Sequence, residues 1–275
     1  MKKTKKKQEI PPPPHPSNEK NSPMKVVDRR DYYTRLFPVG YLRRLFMTPL
    51  YSITLSGDQY ILNQSDLGRI PELAREHDIV RLDIQGLGPA EDVYARTLGL
   101  KAGSGNPLKF DFDITDFPNR CSQNCQCCAR CWERYVQPLV ADVIFRCKEL
   151  TQLTPLLFQS ERGFHGWIPE AYMSHFPNSL RQRFYQDLTL SLGAVPIFDK
   201  GVTTNRDHSL RMVMSIHQSG RLITPMYDEH QPRWEGLELK GDALDAFVEA
   251  RVLDGKRALV RLEEERRTMM TIGAE

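Results

Sequence analysis

The 275-residue chain has no run of 18 apolar residues, and its first residues lack the apolar stretch of a signal peptide. A membrane-spanning helix is excluded on that ground, and an intracellular, membrane-free protein is expected. Charge of one sign is scarce too: 38 Lys and Arg stand against 35 Asp and Glu, for a net +3. Residues 1 to 25 hold seven Lys and two Glu, so this end carries +5 and the remainder is left at −2. A surface that coats DNA by general basicity is thereby excluded, and any nucleic acid has to meet a local basic groove. Cysteine is almost missing outside one short stretch, with Cys147 as the single exception.

What is present is enough for a globular core. Hydrophobic residues make up 40% of the chain, which suits one large domain or two small ones. The first part is different: KKTKKKQEIPPPPHPSNEKNSP joins a lysine run to a proline run, cannot bury a core, and is expected to stay disordered. Beyond it, DYYTRLFPVGYLRRLF (31–46) predicts two short helices broken at Pro38. YSITL (51–55), QYIL (59–62) and VRLDI (80–84) predict strands, the first two joined by a tight turn at Ser56-Gly57-Asp58. Val136, Leu139, Val140, Val143, Ile144 and Cys147 outline a helix starting near Pro138. TPLLFQSERGFHGWI (154–168) predicts strand, turn, strand, with Gly163 at the turn, where the backbone can approach a neighbour closely. GDALDAFVEARVL and KRALVRLEEERR predict two amphipathic helices, with Asp242 as N-cap and Gly255 between them.

Five of the six cysteines, Cys121, Cys125, Cys127, Cys128 and Cys131, fall within eleven residues. In a reducing compartment this clustering points to metal rather than disulfides, and Cys128-Ala-Arg-Cys131 has the spacing of a zinc turn. Four ligands complete a structural zinc site. Cys121, Cys125, Cys128 and Cys131 are the expected set, with Cys127 able to replace Cys125.

The stretch FDFDITDF (110–117) poses the chemical question of the chain. In a strand, Asp111 and Asp113 point to the same face, where their charges repel unless something offsets them. A divalent cation is one answer, and a solvated edge strand that merely exposes two acids is the other. Asp116 belongs to the opposite face by the same alternation. Two more stretches carry Arg and His beside acids: SERGFHGW (160–167), with Arg162 and His165, and residues 199–220, with Asp199, His208, Arg211 and His217. Such donors suit an anionic substrate bridged by metal.

Taken in order, YYTRLFPVGYLRRLF, FDFDITDF, a cysteine cluster ending CARCW, SERGFHGW, and DKGVTTNRDHSLR followed as one unit by SIHQSGRLITP resemble the small catalytic subunit of archaeal and eukaryotic DNA primases. The resemblance covers about residues 31 to 225 and lies in five motifs arriving in the family's order. It implies an α/β (α+β) catalytic core of mixed sheets flanked by helices, over 28–235, with an inserted zinc loop at 119–132. A tail at 1–27 precedes it and a helical segment at 236–275 packs on it. It also implies template-directed synthesis of short RNA primers on single-stranded DNA, by two-metal nucleotidyl transfer.

By resemblance, Asp111 and Asp113 bind two catalytic Mg2+ or Mn2+ ions and Asp199 is the third carboxylate. Arg162, His165, Arg211 and His217 hold the triphosphate of the incoming NTP, with Ser160 beside them, and Asp83 approaches the ribose 2′-hydroxyl; the local sequence equally allows Asp83 to pair with Arg81 or cap a turn. His208 is assigned a structural role. The implied partners are single-stranded DNA, NTPs and a primase large subunit, polymerase or helicase, in a nucleus, a viral or mobile-element replication compartment, or the cytoplasm.

The chain also departs from the family pattern. Ser160 stands at a usual glycine and Gln159 at a usual serine, Glu161 stands where eukaryotic relatives place a second Arg, and Leu62 replaces another Arg. About thirty residues separate His165 from Asp199, too few for the large helical insertion of the eukaryotic subunit, which points to a compact viral or mobile-element member. Two other functions fit the same residues. One is a primase-polymerase that incorporates dNTPs in repair or end joining, and the other is a zinc-stabilised DNA-binding module with a decayed site.

Overall fold

The computed structural model of the chain describes residues 25–26, 28–45, 51–55, 58–62, 64–84, 108–113, 129–169, 172, 178–192, 199, 210–227 and 238–272. Strands β1 (Lys25–Val26), β2 (Tyr51–Leu55), β3 (Asp58–Leu62), β4 (Ile79–Ile84) and β5 (Leu108–Asp113) come first along the chain. They are followed by β6 (Leu156–Gln159), β7 (Gly163–Ile168), β8 (Leu210–Arg211), β9 (Thr224–Met226) and β10 (Glu238–Leu239). Two four-stranded antiparallel sheets result, in the orders β3-β2-β4-β8 and β5-β7-β6-β9, and helices flank them, so the fold is α+β. The three expected strands 51–55, 59–62 and 80–84 all lie in the first sheet.

Residues 210–226 bind the sheets together. β8 closes the first sheet and β9 the second, and the chain between them folds back on itself through Met214 N–H to Ile223 O (2.7 Å) and Ile223 N–H to Ser215 O (2.9 Å). Two tyrosines from the first helical segment hold this connection. Tyr32 Oη donates to Met214 O, and Tyr33 Oη accepts from Ile216 N–H at 2.9 Å. Both rings are fully buried beside Phe37. The break at Pro38 is present: a π-helical turn at Tyr32–Leu36 ends before it, and a helix at Val39–Leu45 follows.

The helix expected near Pro138 spans Gln137–Thr151, with proline in its first turn, where its missing N–H costs nothing. A helix at Asn178–Leu192, not anticipated from the sequence, packs on it, and Arg146 Nη1 donates to Ser191 O at 3.0 Å. The C-terminal segment differs from expectation. Instead of two helices there is one of 32 residues, Gly241–Ile272, which buries Leu244, Phe247, Val248, Ala258, Leu259 and Leu262. Asp242 lies in its first turn. Gly255 does not break it but serves packing: a Cβ there would sit 2.3 Å from Tyr41 Oη and 2.6 Å from its ring. Among the described residues, no helix is long and apolar enough to cross a membrane. Residues 25 and 26, within the tail expected at 1–27, pair in parallel with β10.

Candidate active site

Strand β5 sorts its side chains by alternation. Phe110 and Phe112 are fully buried, and Phe112 stacks on its cross-strand partner Phe164 with centroids 4.7 Å apart. Asp111 and Asp113 therefore emerge together on the other face, each about one quarter exposed. Both glycines of β7 are needed for this pairing. A Cβ on Gly163 would lie 1.8 Å from the Phe112 carbonyl oxygen, and one on Gly166 would lie 1.8 Å from the Phe110 ring. The R-G-F-H-G-W pattern thus lets β7 approach β5 closely enough to set His165 opposite Asp111.

His165 Nε2 is 3.3 Å from Asp111 Oδ1, and Arg162 Nε is 3.5 Å from Asp113 Oδ2. Asp199 reaches the same place from far along the chain, its backbone N–H donating to Asp111 O at 3.0 Å. Burial pushes the Asp111 carboxyl above its ordinary range, His165 opposes this, and the charges of Asp113 and Asp199 add to it. Among the described residues, no group of three or more His, Cys, Asp and Glu closes into a metal-ligand set. The donors nevertheless suit a hard divalent cation: Asp111 and Asp113 share one face, burial and the charges of Asp113 and Asp199 disfavour the ionised form of Asp111, and a cation would reverse that penalty.

The carboxylates form one wall of an open cleft between the two sheets. Ser160, Glu161, Arg162, His165 and His217 line it from the second sheet and its connection, and Arg81, Leu210 and Arg211 line it from the first. Seven of the expected site residues, Asp111, Asp113, Ser160, Arg162, His165, Arg211 and His217, are therefore gathered in one place.

Asp83 stands apart from them. It is 3% exposed, does not line the cleft, and pairs with Arg81 Nε on one oxygen and Arg211 Nε, at 3.6 Å, on the other. Asp83 and Arg211 are register partners across β4 and β8. The cleft is thus offered two guanidiniums, with the carboxylate behind them. Arg211 Nη1 is buried without a hydrogen-bond partner among the described residues, a donor waiting for an acceptor.

The pairing of Arg81 with Asp83 follows from their i, i+2 relation in VRLDI, the same relation that singles out Asp111 and Asp113, but the place of Arg81 on the cleft wall was not anticipated. The second surprise is Glu161. It pairs with His217 Nδ1 and, at 3.4 Å, with Arg221 Nη1. Burial works against its charge, but the His217 hydrogen bond and the charges of His217 and Arg221 hold its carboxyl down at about 2. Asp116, His208 and four of the expected zinc ligands, Cys121, Cys125, Cys127 and Cys128, lie outside the described residues. Cys131 is buried at the end of the short helix Ala129–Cys131.

No protein-family model matches the chain, and no curated protein matches it. What the site can do has to be argued from its residues and their arrangement.

Proposed function

We propose that this chain is the catalytic subunit of a DNA primase, which synthesises short RNA primers on single-stranded DNA by nucleotidyl transfer. The observation that carries the reading is the cleft itself, where the carboxylates Asp111 and Asp113 share one open space with the cationic side chains Arg81, Arg162 and Arg211. A nucleoside triphosphate with divalent metal needs both kinds of group at once. Asp111, Asp113 and Asp199 would hold the metal ions, which supply Lewis-acid activation of the attacking hydroxyl and neutralise the leaving pyrophosphate.

The protein's own groups do the rest. Arg211, whose Nη1 has no hydrogen-bond partner among the described residues, and Arg81 offer planar forks to phosphate oxygens, and the buried Asp83 engages both guanidiniums by Nε. Arg162, half exposed and lightly held by Asp113, is placed to move from carboxylate to phosphate when metal takes the carboxylate. His165 touches Asp111 with Nε2, and His217 completes the basic side of the cleft. A structural zinc on Cys121, Cys125 or Cys127, Cys128 and Cys131 belongs to the same reading, as do single-stranded DNA and NTPs as partners.

One observation favours a second reading. Because Asp83 is turned to two arginines and does not line the cleft, the ribose would meet a weaker reader of its 2′-hydroxyl. A primase-polymerase that also accepts dNTPs fits that arrangement. Primer synthesis with labelled nucleotides on single-stranded DNA, with Mg2+ or Mn2+, tests both readings. Products from NTPs support the primase, products from dNTPs alone support the alternative, and no product from either set overturns both.

A further inference from the structure

Glu161 is a negative charge on the wall of the cleft away from Asp111 and Asp113, and a bare carboxylate there would repel any phosphate. It is not bare. The turn Ser160–Arg162 between β6 and β7 sends neighbouring side chains to opposite sides, Arg162 to Asp113 and Glu161 to the connection between β8 and β9. There the carboxylate meets His217 Nδ1 on one oxygen and Arg221 Nη1 on the other, and Arg221 also reaches Glu161 O at 3.4 Å. All three side chains are largely buried. His217 itself is set in a tight turn, with its N–H on Arg221 O at 2.6 Å and its carbonyl accepting from Gly220 N–H at 2.8 Å.

We infer that Glu161 is a positioning residue: it grips His217 by Nδ1 and so leaves Nε2 as the ring nitrogen that meets a phosphate of the bound nucleoside triphosphate. The inference rests on the nucleotidyl-transfer reading above. An ionised carboxylate can only accept, so the Nδ1 beside it carries a proton. Ser219 Oγ lies 3.0 Å from the same nitrogen and the Ser219 N–H donates towards it at 3.3 Å, a longer contact than the one to the Glu161 carboxylate, which therefore has the stronger hold on this edge of the ring. With Nδ1 engaged on the inner side, the ring turns its other edge to the cleft that His217 lines. Arg221 anchors the carboxylate from behind and offsets the charge that the cleft would otherwise feel.

The test is ATP binding and primer synthesis with Mg2+, for wild type, Glu161→Gln, Glu161→Ala, His217→Ala and the Glu161→Gln/His217→Ala pair. Glu161→Ala strands Arg221 in the interior and lowers the melting temperature. Glu161→Gln keeps the shape and one acceptor oxygen, so it carries the decisive comparison. The expected result is a roughly three- to tenfold rise in both Kd and KM for ATP in Glu161→Gln, with kcat little changed. His217→Ala should show a rise of the same order, and the pair should be no worse than His217→Ala alone.

Glu161→Gln binding ATP as tightly as wild type, or more tightly, overturns the inference, because the carboxylate would then only repel. A full additional loss in the His217→Ala background overturns it as well. Wild type that neither binds ATP nor makes primers removes the nucleotidyl reading and this inference together, whereas wild-type binding with an unchanged Glu161→Gln removes the inference alone.

Discussion

The backbone N–H of Asp199 donates to the carbonyl oxygen of Asp111 at 3.0 Å, so two acids far apart in the chain are tied main chain to main chain. The tie does not depend on either carboxylate. Their charges are felt by each other all the same, and together with Asp113 and burial they disfavour the ionised form of Asp111.

The consequence for variants is a split between stability and activity. Asp111→Asn and Asp113→Asn should each lower primer synthesis by roughly a hundredfold or more, because metal-assisted charge stabilisation is worth several kcal/mol. Without metal, Asp111→Asn should melt no lower than wild type, since a repelled and buried charge is gone. Near wild-type activity at saturating Mg2+ would end the metal reading.

Asp83 is tested through its two arginines. Removing a carboxylate buried between Arg81 and Arg211 should cost about 3 to 5 kcal/mol of stability, the range for breaking a buried ion pair. Asp83→Asn should also weaken binding of ATP and dATP to a similar degree, because both lose the same aligned guanidiniums. A ribo-to-deoxy ratio of kcat/KM that falls towards one would return Asp83 to the role of ribose reader.

Acid should act through Glu161. Its folded-state value of about 2 lies below the ordinary 4.5, so its contribution is complete above about pH 4.5 and is lost as pH falls towards 2. His217 and Arg221 are the groups that face it. Denaturant titrations across that window should show a loss on the order of 3 kcal/mol in wild type that is absent in Glu161→Gln.

Gly163→Ala should destabilise the protein by an amount near the upper end of roughly 1 to 3 kcal/mol, because the added carbon meets the Phe112 carbonyl rather than a movable side chain. Activity should fall with it, since the same pairing holds Asp113 beside Arg162. An unchanged melting temperature would show that β5 and β7 can separate freely.

Zinc is expected at one ion per chain, and Cys147→Ser should leave that content unchanged. Burial inside the Gln137–Thr151 helix pushes the Cys147 thiol well up, away from the thiolate a metal requires. Protein purified without chelators and found free of zinc would remove this prediction.

Much of the site was legible in the sequence because it rests on local periods. Two-residue alternation was enough to put Asp111 and Asp113 on one face opposite Phe110 and Phe112, and motif order was enough to nominate Arg162, His165, Arg211 and His217. Proline at 38 and 138 marked a helix break and a helix start for the same local reason, a fixed φ and a missing donor. Where a residue's meaning depended on what another segment brings to it, only the tertiary structure decided. Gly255 looks like a break until Tyr41 is laid against it, and Glu161 looks like a misplaced charge until His217 and Arg221 arrive. Asp83 meets Arg81 within its own strand, but only the pairing of β8 with β4 delivers Arg211 to its other oxygen. Backbone periodicity is encoded within a few residues, whereas the charge a carboxylate faces is set by the strand folded next to it, which sequence neighbours do not reveal.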